Sequence, residues 1–137
     1  MADLSITAAN VAANTGASEE KLTAGATITA GQAVYLDSAA SNVAKLAQSD
    51  GTEAEAAVRG IAINGAASGQ PVNIVRSGTM DLGATLTVGE TYVVSQTAGG
   101  VAPIGDLGSG DYVTHLGIAT AADELTLSIK ASGVEVP

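Results

Sequence analysis

The chain has 137 residues, 46% of them hydrophobic, yet it contains no Phe, no Trp, no Cys and only three Tyr. Its net charge of −9, with five Lys and Arg in all, excludes a surface for nucleic acid, because phosphate binding needs a basic patch that releases counterions. The same balance argues against an anionic membrane face, and the lack of Cys leaves neither disulfides nor thiolate metal sites.

The apolar mass is Ala, Val, Leu and Ile, with 17 Gly. Burying one such aliphatic side chain contributes about 1.5–3 kcal/mol, so a core without large aromatics is thin. Association with copies of itself or with a larger partner is the usual supplement.

In chain order, residues 1–25 read as an N-terminal arm. The opening "MADLSITAANVAANTGA" lacks the basic region and continuous apolar run of a signal peptide, so a soluble, unprocessed chain is expected. No stretch reaches the roughly 18 apolar residues of a membrane span. "ASEEKL" reads either as one helical turn capped by Ser18 or as part of a flexible arm. Leu4, Ile6 and Val11 are too scattered to form a core of their own, but "LSIT" at Leu4 is strand-like and could add to a sheet edge. The remainder of the chain is expected to fold without this arm.

Residues 26–137 read as a duplicated β domain with repeat units 26–78 and 84–133. "TITAGQAVYLDS" from Thr27 is echoed by "TLTVGETYVVSQ" from Thr85, with Gly31 on Gly89. Val43-Ala44 falls on Val101-Ala102, "RGIAIN" at Arg59 on "LGIATA" at Leu116, and "PVNIVRSG" at Pro71 on "TLSIKASG" at Thr126. The order is conserved between the copies, and every gap lies in a Gly-, Ser- or Asp-rich stretch.

Each copy reads as four short strands. "QAVYLDS" and "ETYVVSQ" are β-branched and aromatic runs bounded by turn residues. "NVAKLA" and "GVAPIG" follow, then "GIAI" and "GIAT". In "PVNIVRSG", Val72 and Ile74 alternate with Asn73; Leu127 and Ile129 alternate with Ser128 in the same way, the period of a half-buried strand. Tight hairpin turns are expected at Ser41-Asn42 and Gly99-Gly100. The expected architecture is all-β: a small β-barrel or sandwich built from two tandem, similar four-stranded units, with an N-terminal arm.

Residues suited to catalysis are sparse. His115 is the single histidine and has no Cys to join it, which is poor material for zinc or a triad. "GDLGSGD" at Gly105 has neither the order nor the strand-to-helix setting of a phosphate loop, and Asp106 and Asp111 would repel phosphate. Asp50, Glu53 and Glu55 lack the alternation of a calcium loop. Glycosidase carboxylates need a cleft between them, usually lined with aromatics. No catalytic constellation, metal site or cofactor site is read from these residues, and a non-enzymatic role is expected.

"LTAGATITAGQAVYLDS" together with "NVAKLAQSDGTEAEAAVRGIAINGAASGQPVNIVRSGTM" resembles the tailed-phage capsid decoration, or cement, proteins of the lambda-like type, and is similar to phage capsid cement and head fibre proteins. The segments that carry the resemblance are Asp50-Gly51-Thr52, Gly60-Ile61-Ala62 and Ser77-Gly78-Thr79. The chain departs from the lambda-like pattern in having two units and no Phe or Trp. The resemblance implies a structural virion protein on the outer surface of a phage capsid, made in the host cytoplasm. There it would bind the major capsid protein, commonly as a homotrimer, and stabilise the expanded shell by bridging subunits. It places capsid contact on the arm, hence Leu4, Ile6 and Val11, with the loop Asp50, Gly51 and Thr52 as second choice. The acidic charge suits the outside of a DNA-filled shell. The alternative is a receptor- or carbohydrate-binding fibre module, which would call for exposed aromatics or a polar groove.

Overall fold

The computed structural model describes residue 4 and residues 6–14, 16–38 and 42–137. Among the described residues, ten strands form one antiparallel sheet that curls into a half-barrel. In chain order they are β1 (Val11–Ala13), β2 (Ser18–Thr23), β3 (Ala33–Asp37), β4 (Val43–Leu46), β5 (Val58–Ala62), β6 (Pro71–Leu82), β7 (Thr91–Val94), β8 (Val101–Pro103), β9 (Tyr112–Ala119) and β10 (Glu124–Glu135). One short helix, α1 (Glu53–Ala56), precedes β5.

The strand order is β4-β3-β5-β6-β10-β9-β7-β8. Read outward from the β6–β10 pair, each half repeats the other's sequence of connections. The local geometry repeats as well: matched Gly31 and Gly89 both have left-handed φ, +94° and +87°. Matched Gly60 and Gly117 both lie flat against a neighbouring strand; a Cβ on Gly60 would sit 2.7 Å from the Val75 carbonyl oxygen, and one on Gly117 would run into that of Thr126. Any side chain at these two positions would force strands apart.

The β3–β4 and β7–β8 hairpins form where the alternation places them, but their turns are longer than the two-residue type expected. In the first, β3 ends at Asp37 and β4 begins at Val43, and Asn42 takes φ +60° with its N–H reaching the Asp37 carbonyl at 3.0 Å. Ser41, the other residue of that expected turn, lies outside the described residues. The second spans 95–100, with Gly99 at φ +79° and the Ser95 N–H bonded to Gly100. Asn42 and Gly99 supply these left-handed conformations without the strain of a β-branched side chain.

Two bulges shape the first unit, the one on β5 matched in the second unit by a bulge at Leu116 of β9. Across β3 and β5, Val34 faces Gly60 and Tyr35 faces Val58, leaving Arg59 as the extra residue. Across β2 and β6, Ser18 faces Ser77 and Glu19 faces Val75, leaving Arg76 extra. A bulge shifts the face on which subsequent side chains emerge. On β6, Val72 and Ile74 enter one core cluster and Val75 the other; beyond the bulge it is the even-numbered Met80 and Leu82 that join Val75.

The larger cluster is built from both units and includes Ile61, Val75, Met80, Leu82, Tyr92, Leu116 and Leu125, all at most 2% exposed. The smaller one, with Ile28, Val34, Ala62, Val72 and Ile74, is built from the first unit and from Ala24 and Leu22 just before it, and is closed by an Ile28–Ala66 bridge from the loop after β5. Tyr92 is fully enclosed, and its hydroxyl accepts the Thr87 N–H at 2.9 Å, the partner a buried phenol needs.

The N-terminal segment departs from expectation. Ser18–Thr23 is neither a helical turn nor a free arm: β2 pairs with β6 from Ser77 to Pro71, and β1 pairs with it at Leu82–Met80. Alternation explains β2, whose Glu20 and Leu22 are half-buried while Ser18, Glu19, Lys21 and Thr23 face solvent. The local helical preference of Glu-Glu-Lys is outweighed because the long β6 leaves an edge to be paired.

Candidate functional site

The two bulged arginines converge. Arg59 donates from Nε and a terminal nitrogen to the two carboxylate oxygens of Glu20 on β2, at 2.9 and 3.0 Å. Arg76 stands on the other side, its Nε 3.9 Å from Glu20 Oε1. Bidentate hydrogen bonding from Arg59, then attraction to both guanidinium groups, holds the Glu20 carboxyl below its ordinary range against the opposing effect of burial. The same pairing pushes Arg59 upward. One carboxylate thus faces two permanent cations, and the cluster keeps a net positive charge in a chain of net −9.

Beside the cluster the sheet divides. β10 pairs with β6 from Glu124 to Ser128 and no further, and beyond Ser128 it pairs with β9 alone, while β6 turns to β5 and β2. The divergence leaves a cleft of about 550 Å³. Leu36, Ala57, Val58 and Ile129 supply its apolar lining; Arg59, Arg76, Ser18 and Ser77 supply the polar one. Arg76 is the more accessible cation, with 46% of its side chain exposed against 35% for Arg59.

The residues proposed from sequence as contacts lie elsewhere or at the cleft's margin. Val11 is in the larger core at 8% exposure, and Leu4 and Ile6 pack against that core, with the Leu4 N–H bonded to the Val101 carbonyl at 2.9 Å. Val11 is thus committed to the protein's own interior, and Leu4 and Ile6 are half-buried against it. Asp50 is exposed, Gly51 lies beneath the Glu55 side chain, and Thr52 caps α1. Thr52 Oγ accepts the Glu55 N–H at 3.3 Å, and the Glu55 carboxylate accepts the Thr52 N–H at 2.9 Å, a reciprocal capping box. His115 is half-buried on β9, its Nδ1 2.9 Å from the Ser128 carbonyl oxygen. Asp111 is bonded to Gln96 Nε2 and to the Gly108 N–H, a loop-closing role.

Sequence reasoning missed Glu20, Arg59, Arg76 and α1. Two signals were present. Thr52-x-x-Glu55 is a capping-box pattern, and Arg59 matches Leu116 in stretches otherwise nearly identical, "RGIA" against "LGIA". A charge replacing a leucine at a matched position marks where the units differ in environment.

No protein-family model matches the chain, and no curated protein is similar to it.

Proposed function

We propose that the protein is a structural virion component that binds the outer surface of a phage capsid and stabilises the expanded shell by bridging capsid subunits. The observation that carries this reading is a convergence. Each of the three segments in which the sequence resembles the decoration proteins supplies, adjoins or caps a part of the cleft between β6 and β10. Thr52 caps the helix that leads to Ala57 in the lining, Gly60 follows the bulge that projects Arg59, and Ser77 stands at the point of divergence. A cleft whose lining comes from stretches distant in sequence, with Arg76 accessible in it, is suited to binding a partner.

Binding to assembled shells and not to free subunits adds the ligand's binding free energy to the assembled state, which is how such a protein opposes rupture by packaged DNA. The acidic surface keeps the particle soluble and away from the DNA inside. The major capsid protein is the partner, and the protein acts as a homotrimer. A carbohydrate-binding fibre module fits less well, because Tyr92 is buried and Tyr35 packs against the core, leaving little aromatic surface for stacking on a sugar.

The test uses DNA-filled heads of the encoding phage, prepared without this protein. Added protein is expected to sediment with them to saturation, to appear on the exterior by electron microscopy, and to raise the temperature at which DNA escapes. Failure to sediment, or DNA release at an unchanged temperature, overturns the reading.

A further inference from the structure

We propose that the cleft between β6 and β10 is a receptor for a carboxylate side chain of an extended, acidic protein segment, with Arg76 as the principal contact and Arg59 as its positioned neighbour. For the identity of the partner the inference rests on the capsid-binding reading; for the chemistry of the site it stands on the geometry.

Three observations support it. Both arginines occupy bulges, the devices by which a sheet re-aims a side chain out of its alternation, and both are aimed at the same carboxylate. Neither has a basic counterpart in the second unit, where the matched residues are Leu116 and Ala131, so the duplicated fold does not require a cation at either position. The guanidinium charge is also incompletely matched. Glu20 is engaged by both oxygens with Arg59, leaving Arg76 only a loose approach at 3.9 Å. A carboxylate entering the cleft can take up that second guanidinium in the bidentate geometry that arginine offers.

The occupant follows from charge and from the sheet. The chain's other carboxylates repel acidic partners, so this cationic cleft is where such a partner can approach. On the facing wall, Lys130 and Ala131 pair with β9 on one side, and Ile129 to Ala131 pair, among the described residues, with no strand on the other. Their free backbone edge can hydrogen-bond an extended segment, while Ile129 and Leu36 receive its apolar side chains. A segment alternating acidic and apolar residues matches both walls.

The probe is a fluorescently labelled peptide of alternating Glu and Val, with a Gln-for-Glu peptide as control, titrated against the full chain by anisotropy at low and moderate salt. The Glu peptide is expected to bind about 10-fold tighter than the Gln peptide, with the difference shrinking in salt. Arg76→Ala should remove most of that preference and Arg76→Glu all of it, with unfolding midpoints unchanged; Arg76→Lys should restore part. Equal binding of the two peptides, no binding of either, or full preference in Arg76→Glu overturns the proposal.

The same variants are then added to DNA-filled heads. Weakened attachment of Arg76→Glu supports the cleft as the docking point. Attachment equal to wild type overturns the cleft while leaving capsid binding intact, and wild type that fails to attach overturns the capsid reading while the peptide titration still reports on the cleft. Self-association of the wild type that Arg76→Glu abolishes would overturn the choice of occupant in favour of a second copy.

Discussion

The first unit, residues 26–78, is buried on both faces, whereas the second, residues 84–133, has its main apolar cluster on one. Matched positions build the clusters: Ile28, Val34, Ala62 and Val72 fill the smaller core, and their counterparts Leu86, Tyr92, Ala119 and Leu127 fill the larger one. The opposite face of the first unit, through Ala33, Ala47, Ile61 and Val75, also covers that larger core. The second unit therefore needs bigger residues to fill an interior shared by both units, and the first manages with Ile and Val in one shared only with Ala24 and Leu22 of the N-terminal segment. Duplicated strands keep their pairing order because hydrogen bonding is carried by the backbone. Their side chains diverge because packing depends on what lies across the gap.

The N-terminal segment sharpens this asymmetry, since β1 and β2 pair only with β6 of the first unit and β10 has no equivalent. Deleting residues 2–23 removes Val11, Leu4 and Ile6 from the larger core and strips one edge of β6. Val11 at about 1.5–3 kcal/mol, the partly buried Leu4, Ile6 and Leu22, and the lost β1 and β2 pairing together should exceed about 4 kcal/mol. Urea denaturation followed by far-ultraviolet circular dichroism is expected to show a truncated chain that is unfolded or nearly so. A truncated chain with an unchanged midpoint would return the segment to the status of a separable arm.

Next in size is the difference between the two cores. Tyr92→Ala empties a large buried site and leaves the Thr87 N–H without its acceptor, with an expected cost of about 3–5 kcal/mol. Val34→Ala, at the matched position, should cost less than half of that. Equal losses in chemical denaturation would mean that the two clusters are not energetically distinct.

The smallest expected effect belongs to Glu20. Its carboxyl titrates below the ordinary value near 4.5 in the folded protein, so its pairing contributes stability that is fully present above that value. That contribution is lost as pH falls through the lower folded value. Wild type should therefore lose stability more steeply than Glu20→Gln below about pH 4.5, and the two should run parallel above pH 6. With 29% of the side chain exposed, solvent screening keeps the difference under about 1 kcal/mol. Parallel thermal-melt profiles across the whole acid range would place the Glu20–Arg59 pair outside the stability of the sheet.

What the sequence by itself determined is the local grammar: eight strands in two sets of four, the matching of Gly31 with Gly89, and an all-β class. Period-two alternation and turn chemistry act over a few residues, and they are legible wherever they occur. Of the candidate site, only the flanking segments were legible, in Asp50-Gly51-Thr52, Gly60 and Ser77. The arginines that charge it were not, because a bulge is defined by two strands and not by one. Arg59 leaves the alternation only because Val34 and Tyr35 of β3 face Gly60 and Val58. Arg76 does so only because Ser18 and Glu19 of β2 face Ser77 and Val75. The fate of Ser18–Thr23 was decided in the same way, by an unpaired edge of β6 far along the chain. Backbone hydrogen bonds left open on that edge outweigh the weak helical preference of Glu-Glu-Lys, and that comparison exists only once the sheet is assembled.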